Sequence, residues 1–158
     1  MAAIEKVKEY LQELPYDLKV IEFEESTHTS ELAAEALGVE VGQIAKSVLF
    51  LIKDTPILVV TSGDAKIINK KIKEATGLTG KVKLVPPGEV EGLTGFSPGG
   101  VCPFALKAPL VLLLDKSMER FPVVYAAAGS PHSAVPVTME QLQEITGGKV
   151  CDVCEVNL

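Results

Sequence analysis

Hydrophobic positions recur along this chain with two different periods. Ile4, Val7, Leu11 and Leu14 fall on one helical stripe, which predicts an amphipathic helix over residues 3–13. Leu18 to Phe23 has the makeup of a strand. In T-H-T-S-E-L-A-A-E-A-L-G, Thr29 or Ser30 is placed to cap a second helix, alanine and leucine fill it, and Gly38 ends it. The stretch I-A-K-S-V-L-F-L-I, residues 44–52, carries apolar residues on both alternating faces, as in a strand covered on both sides. With Asp54-Thr55-Pro56 as the turn, Ile57 to Thr61 returns beside it as a hairpin.

A lysine-rich helix is predicted over 67–76, stopped by Gly77, then a short strand from Lys81 to Val85. Pro86-Pro87 opens a short helix that ends near Gly92. After the loop G-F-S-P-G-G-V-C-P-F-A come strands at Leu110–Leu114 and Val123–Ala127. V-P-V-T then leads into a last helix, where Thr138 and Gln141 have the spacing of a capping box and Gly147-Gly148 is the stop. The tail V-C-D-V-C-E-V offers one more strand. G-L-T-G occurs at 77–80 and at 92–95; both copies read as helix stops with turn glycines, too short to mark a domain repeat. Strands and helices are mixed, with at least one hairpin and no linker-like segment. The expectation is an α+β (mixed α/β) fold in a single compact domain spanning 1–158.

Composition narrows the setting. Hydrophobic residues make up 47% and charged residues 23%, an ordinary globular balance. There is no apolar run of membrane-spanning length and no signal-peptide core at the N-terminus, so a cytoplasmic location is expected. Three cysteines, Cys102, Cys151 and Cys154, cannot all pair internally, which fits a reducing compartment. The net charge of −6 argues against a broad nucleic-acid coat. Between Asp64 and Lys83, however, six lysines face two acids. Lys70, Lys71 and Lys73 in that segment could meet phosphates, or could form a solvated helix face.

Lys46 is the anomaly in the 44–52 strand, because an ammonium is seldom buried without a partner. The loop F-S-P-G-G-V-C-P-F is the other informative stretch. Stiff prolines flank Gly99 and Gly100, whose bare backbone could approach a ligand and bind an oxyanion; a tight turn needing positive φ is the alternative. In A-A-A-G-S-P-H-S-A, Gly129 and Ser130 could shape a pocket wall and His132 could face a ligand, or the stretch could be a surface turn with an exposed histidine. Cys151-x-x-Cys154 has no second cysteine pair, and His28 and His132 are the only histidines, so no metal site and no cofactor are expected. Nothing in the spacing of Cys102 and His132 supports a nucleophile pair.

Four motifs, in order and spacing, carry a resemblance: I-A-K-S-V-L-F, S-G-D-A-K-I-I-N-K-K-I, L-T-G-F-S-P-G-G-V-C-P-F and A-A-G-S. They resemble the YbaK family of aminoacyl-tRNA deacylases, related to the editing domain of bacterial prolyl-tRNA synthetases. The similarity runs from about residue 25 to 146. It implies a mixed, partly barrel-like central sheet surrounded by helices. It also implies hydrolysis of the ester joining a wrong amino acid to tRNA, chiefly tRNA(Pro), by a free-standing editing factor. Mischarged tRNA would then be the partner, with prolyl-tRNA synthetase a further candidate.

The family's functional lysine maps on Lys46 and its Gly-Gly loop on Gly99 and Gly100. Ser97, Pro98, Gly129, Ser130 and His132 would line the substrate site, and Lys70, Lys71 and Lys73 would meet the acceptor stem. Asp64 matches a family aspartate, but a turn or cap role serves it equally well. Two departures stand out. Members acting on Cys-tRNA(Pro) carry an aspartate where this chain has Ala134, which weakens a cysteinyl specificity. Cys102 stands where a hydroxyl or small residue is usual, which argues against it as a required nucleophile. A module that binds the same aminoacyl end without turnover is the competing reading.

Overall fold

The computed structural model describes residues 2–156. The chain runs α1 (Ala3–Gln12), β1 (Ile21–Glu22), α2 (Ser30–Leu37), β2 (Ile44–Ile52), β3 (Thr55–Ser62), β4 (Ala65–Ile67), α3 (Asn69–Thr76), β5 (Val82–Leu84) and α4 (Pro87–Thr94). After a loop with one 3-10 turn at Pro98–Gly100 come β6 (Val111–Asp115), β7 (Val124–Ala126), β8 (Ser133–Val137), α5 (Met139–Thr146), β9 (Lys149–Cys151) and β10 (Cys154–Val156). No described helix is long and apolar enough to cross a membrane.

The helix ends follow the capping chemistry. Thr29 Oγ1 accepts the Leu32 N–H, and Gly38 stops α2 in the left-handed region at φ 71°. Thr138 and Gln141 close the expected capping box on α5. Several boundaries differ from the sequence expectation, among them the start of the lysine-rich helix, where residues 65–67 form β4, and the following three. The first strand shrinks from Leu18–Phe23 to Ile21–Glu22, because only those residues find a partner, at Ser133 and Ala134 of β8. α4 runs past Gly92 to Thr94 and is stopped by Gly95 at φ 87°. Of V-P-V-T, expected as a lead into the last helix, Thr138 caps α5 and the first three residues belong to β8. Its Pro136 pairs with Tyr125 of β7 but lies beyond the reach of β1, an edge position that tolerates a missing N–H.

The main sheet is mixed, in the order β1-β8-β7-β2-β3-β6-β9. β2 and β3 form the predicted hairpin, antiparallel from Ala45–Ser62 to Ile52–Thr55. β3–β6 and β6–β9 are parallel. The other edge of β2 is shared. β7 joins it in parallel at Ile44 and Ala45, and β5 joins it antiparallel at Phe50 to Ile52. Among the described residues, no strand pairs with Lys46, Ser47 or Val48 on that edge.

Both faces of β2 are covered. Ala45 and Leu49 join Leu58, Val60, Val7, Leu11 and Phe104 in the largest core cluster. On the opposite face, Ile44 packs against Ala33 and Ala34 of α2, whereas Phe50 and Ile52 pack with Ile72 of α3 and Val153. Lys46 lies on that second face, between the two clusters.

A buried carboxylate closes the tail onto this frame. Asp115, 2% exposed at the end of β6, accepts from Val153 N (2.8 Å), Ser117 N (3.0 Å) and Thr61 Oγ1 (3.3 Å). Replacing it with alanine leaves two buried backbone donors unpaired. Asp115→Ala is therefore expected to lose about 3 kcal/mol of unfolding free energy in urea titrations, at roughly 1–3 kcal/mol per stranded donor. An unchanged midpoint would mean that packing of Val153 and Cys154 alone holds the tail.

Candidate functional site

The unpaired stretch of β2 opens into a pocket of about 90 Å³. Lys46 and Ser47 form one wall, and the 3-10 turn at Pro98 and Gly99, with Val101, forms the wall across the gap. Ala126, Ala127, Ser133 and Ala134 come from β7, β8 and the turn between them, and Thr27, His28, Thr29, Ser30, Ala33 and Leu37 come from α2 and its N-terminal approach. Ile44 and Tyr125 complete an interior that combines a few polar groups with apolar ones.

The Lys46 ammonium is half-buried and donates to the Ala65 carbonyl of β4 at 2.9 Å. The acceptor is neutral, so this hydrogen bond orients the charge without cancelling it. Apolar clusters on either side raise the strength of any interaction that the ammonium makes with a ligand.

The two glycines of the loop have different tasks. Gly99 faces the pocket. Gly100 is buried and faces away, with its N–H donating to Ser97 O at 2.9 Å. A Cβ on Gly100 would lie 2.6 Å from the Gly129 carbonyl carbon, so two backbones touch there and no side chain fits. Gly129, at φ 88°, is itself pressed against Ala3 O and the Phe96 ring.

Ser97, Gly100, Gly129, Ser130 and His132 therefore stand behind the wall, outside the lining. Ser130 Oγ accepts from His132 N (3.0 Å), and the exposed His132 ring meets Glu25 O through Nδ1 (3.0 Å). These contacts hold the 129–132 turn. Lys70, Lys71 and Lys73 lie on α3, outside the pocket. Lys71 is engaged within the chain, its ammonium 3.0 Å from Cys154 O and 3.1 Å from Asp152 Oδ1.

Thr27, His28, Ser30, Ser47 and Tyr125 line the pocket without having been singled out in the sequence. T-H-T-S carries only a helix-start signal. Its place in the site depends on bonds to residues more than a hundred positions away: Ser133 N donates to Thr27 Oγ1 at 3.1 Å, and Thr27 N donates to Pro131 O at 2.6 Å.

Two further groups define what the site can do. Cys102 is fully buried, and burial pushes its thiol up to about 12. It stays protonated near neutrality and cannot supply a thiolate nucleophile. Asp64 is neither free nor a cap. Its carboxylate takes a two-pronged bond from Arg120, at 2.6 and 3.0 Å, and Arg120 Nε donates to Ser117 O at 2.7 Å. Among the described residues, no three His, Cys, Asp or Glu side chains gather where they could hold a metal ion.

The Arg120 fork holds the Asp64 carboxyl below the usual carboxylate range, with Lys46 adding a smaller pull in the same direction. A folded-state value below the unfolded one means stability that is complete above the unfolded pKa, near pH 4, and is lost as pH falls through the folded value. Asp64→Asn should remove that part of the acid dependence. Its stability relative to the parent is expected to be lowest near neutrality and to converge on the parent as pH falls below the folded-state value. A gap that stays constant with pH in paired urea titrations would contradict this.

Residues 24–145 match the family of the aminoacyl-tRNA editing domain. The uncharacterised protein YwhH of Bacillus subtilis is 41% identical over 155 residues, covering 97% of this chain and 98% of that protein. EbsC of Enterococcus faecalis, named as a candidate Cys-tRNA(Pro)/Cys-tRNA(Cys) deacylase, is 25% identical over 141 residues, 89% of this chain and 85% of its own. A crystal structure described as a candidate trans-editing enzyme for prolyl-tRNA synthetase superposes with a TM-score of 0.89 at 35% identity, covering 98% of each chain.

Proposed function

The chain belongs to the aminoacyl-tRNA editing domain family, and we propose that it is a deacylase that hydrolyses the ester of mischarged tRNA(Pro). The observation that carries this reading is the Lys46 ammonium at the wall of a small pocket, oriented by a neutral carbonyl and flanked by apolar clusters. Attack of water on an aminoacyl ester places negative charge on the carbonyl oxygen. An ammonium fixed beforehand in a low-dielectric wall stabilises that charge more than it stabilises the neutral ester. The backbone at Gly99, across the gap, lets the ester approach closely.

The volume points to a small amino acid. At about 90 Å³ it is smaller than the roughly 150 Å³ of a cavity that takes up benzene. Ala126, Ala127 and Ala134 supply no charge to select an ionised side chain, in line with the absence of an aspartate at 134. We assign water activation to groups of the substrate, the terminal ribose hydroxyl first among them, and not to the buried Cys102 thiol, which is protonated and outside the lining.

A panel of tRNA(Pro) charged in turn with alanine, serine, cysteine, threonine and proline tests the reading. Release is expected for the smallest residues and to fall with size. Tight binding of the panel without any release would support a non-catalytic module. Lys46→Ala should lower the deacylation rate about a hundredfold, the effect of removing one preorganised donor from a developing oxyanion, with little change in melting temperature. Full activity, or a collapse of the fold, would remove Lys46 from the chemistry.

Binding of the acceptor stem is assigned to the exposed part of the basic segment. With Lys71 held by Asp152 and Cys154, Lys70 and Lys73 are the contacts left on α3. Two neutralised phosphates give a shallow slope of log affinity against log salt, about −1.4 to −1.8. Replacing both lysines by glutamine should flatten that slope and raise KM while leaving kcat near the parent value. An unchanged slope would move the tRNA contact to another surface.

A further inference from the structure

The turn Gly63-Asp64 joins β3 to β4, and separate contacts fix Gly63, Asp64 and Ala65. Gly63 N donates to Ile44 O at 2.8 Å, and a Cβ on Gly63 would lie 2.6 Å from Val41 O and 2.7 Å from Ser30 Cβ. Asp64 Oδ2 lies 2.9 Å from where a Cβ on Gly42 would be, beside the Phe121 ring. Ala65 supplies the carbonyl that receives Lys46. Arg120 reaches this turn from the 3-10 segment after β6, anchored by its fork on Asp64, by Ser117 O and by stacking 4.9 Å from the Phe121 centroid.

Two cations bear on one carboxylate, Arg120 through its fork and Lys46 through a weaker attraction. Asp64 stands next to the residue whose carbonyl holds Lys46. A carboxylate is a far better acceptor for an ammonium than a backbone carbonyl is. Lys46 bonds to Ala65 O, while the planar Arg120 fork occupies both oxygens of Asp64.

The geometry points to Arg120 as a positioning residue: it sequesters Asp64, so that Lys46 stays on a neutral acceptor with its charge available to the ester. This rests on the deacylase reading for its consequence in rate, but not for its consequence in structure. Without the fork, the Asp64 carboxylate is free to capture the ammonium. Lys46 would then enter the reaction already neutralised, and the loss would fall on the transition state more than on tRNA binding.

The test is a cycle of Arg120→Gln, Asp64→Asn and the double variant. Arg120→Gln is expected to lower kcat about tenfold with KM for tRNA nearly unchanged. The double variant removes the unpaired carboxylate and is expected to recover most of that loss, whereas a purely structural ion pair would leave it at or below the single variant. Melting temperatures of all three separate folding from chemistry. A crystal structure of Arg120→Gln gives a readout independent of activity, with Lys46 Nζ expected on Asp64 in place of Ala65 O.

Unchanged kcat in Arg120→Gln, or a double variant no faster than it, overturns the assignment. So does an Arg120→Gln crystal structure with Nζ still on Ala65 O. If the parent protein releases no amino acid from any tRNA, the deacylase reading falls. The crystal structure then decides the Arg120 assignment alone. Should Arg120→Gln fail to fold, the double variant with an intact fold and lowered kcat would count against it.

Discussion

One strand, β2, must satisfy three neighbours. β3 takes the whole of one edge, so β7 and β5 have to divide the other. They approach from opposite ends and do not meet, which leaves Lys46 to Val48 without a strand partner there. A gap in a sheet exposes backbone and side chains that would otherwise be sealed by the ladder. The chain bridges it with the turn at Pro98–Gly100, whose missing side chains allow one backbone to lie against another at Gly129. The pocket is what remains between the bridge and the strand.

The same gap explains how a charge is tolerated in a strand that is apolar on both faces. A fully paired and covered position would strip the ammonium of water with nothing in return. At the break between the cluster under α2 and the cluster under α3, Lys46 keeps partial exposure and gains one hydrogen bond. Asp64 and Arg120 cancel one another nearby, so the local charge balance leaves Lys46 as the uncancelled cation at the wall. Cys102, by contrast, is held neutral by burial in the main core. Apolar surroundings close completely over the thiol, whereas the ammonium keeps an opening to the pocket.

Local chemistry in the sequence was enough for the helices and for the hairpin. Thr29, Gly38, Gly77, Thr138 and Gln141 each state a helix end through a cap or a left-handed glycine, and the alternation in 44–52 states a strand covered twice. What stayed hidden depends on pairing at a distance. β4 is three residues whose only described ladder is with β10, almost ninety positions on, and β8 hides behind a proline that its edge position excuses. In the site, Lys46 and Gly99 were visible as exceptions to a local pattern. Thr27, His28 and Ser30 were not, because their local pattern is satisfied by capping α2. Gly100 and His132 were legible as unusual residues, but their contacts are with the protein itself. Arg120 had no local signal at all; its meaning comes from the carboxylate fifty-six positions earlier.

The contacts between Thr27 and the 131–133 segment also impose an order in time. They join points 106 residues apart, and the entropy of closing so long a loop is met only after both ends exist. A ribosome delivers the chain from its N-terminus, so α2, the hairpin and Lys46 emerge long before the turn that completes their pocket. A chain halted before residue 131 carries Lys46 but no closed wall around it. The pocket thus closes only once the 131–133 segment has been made.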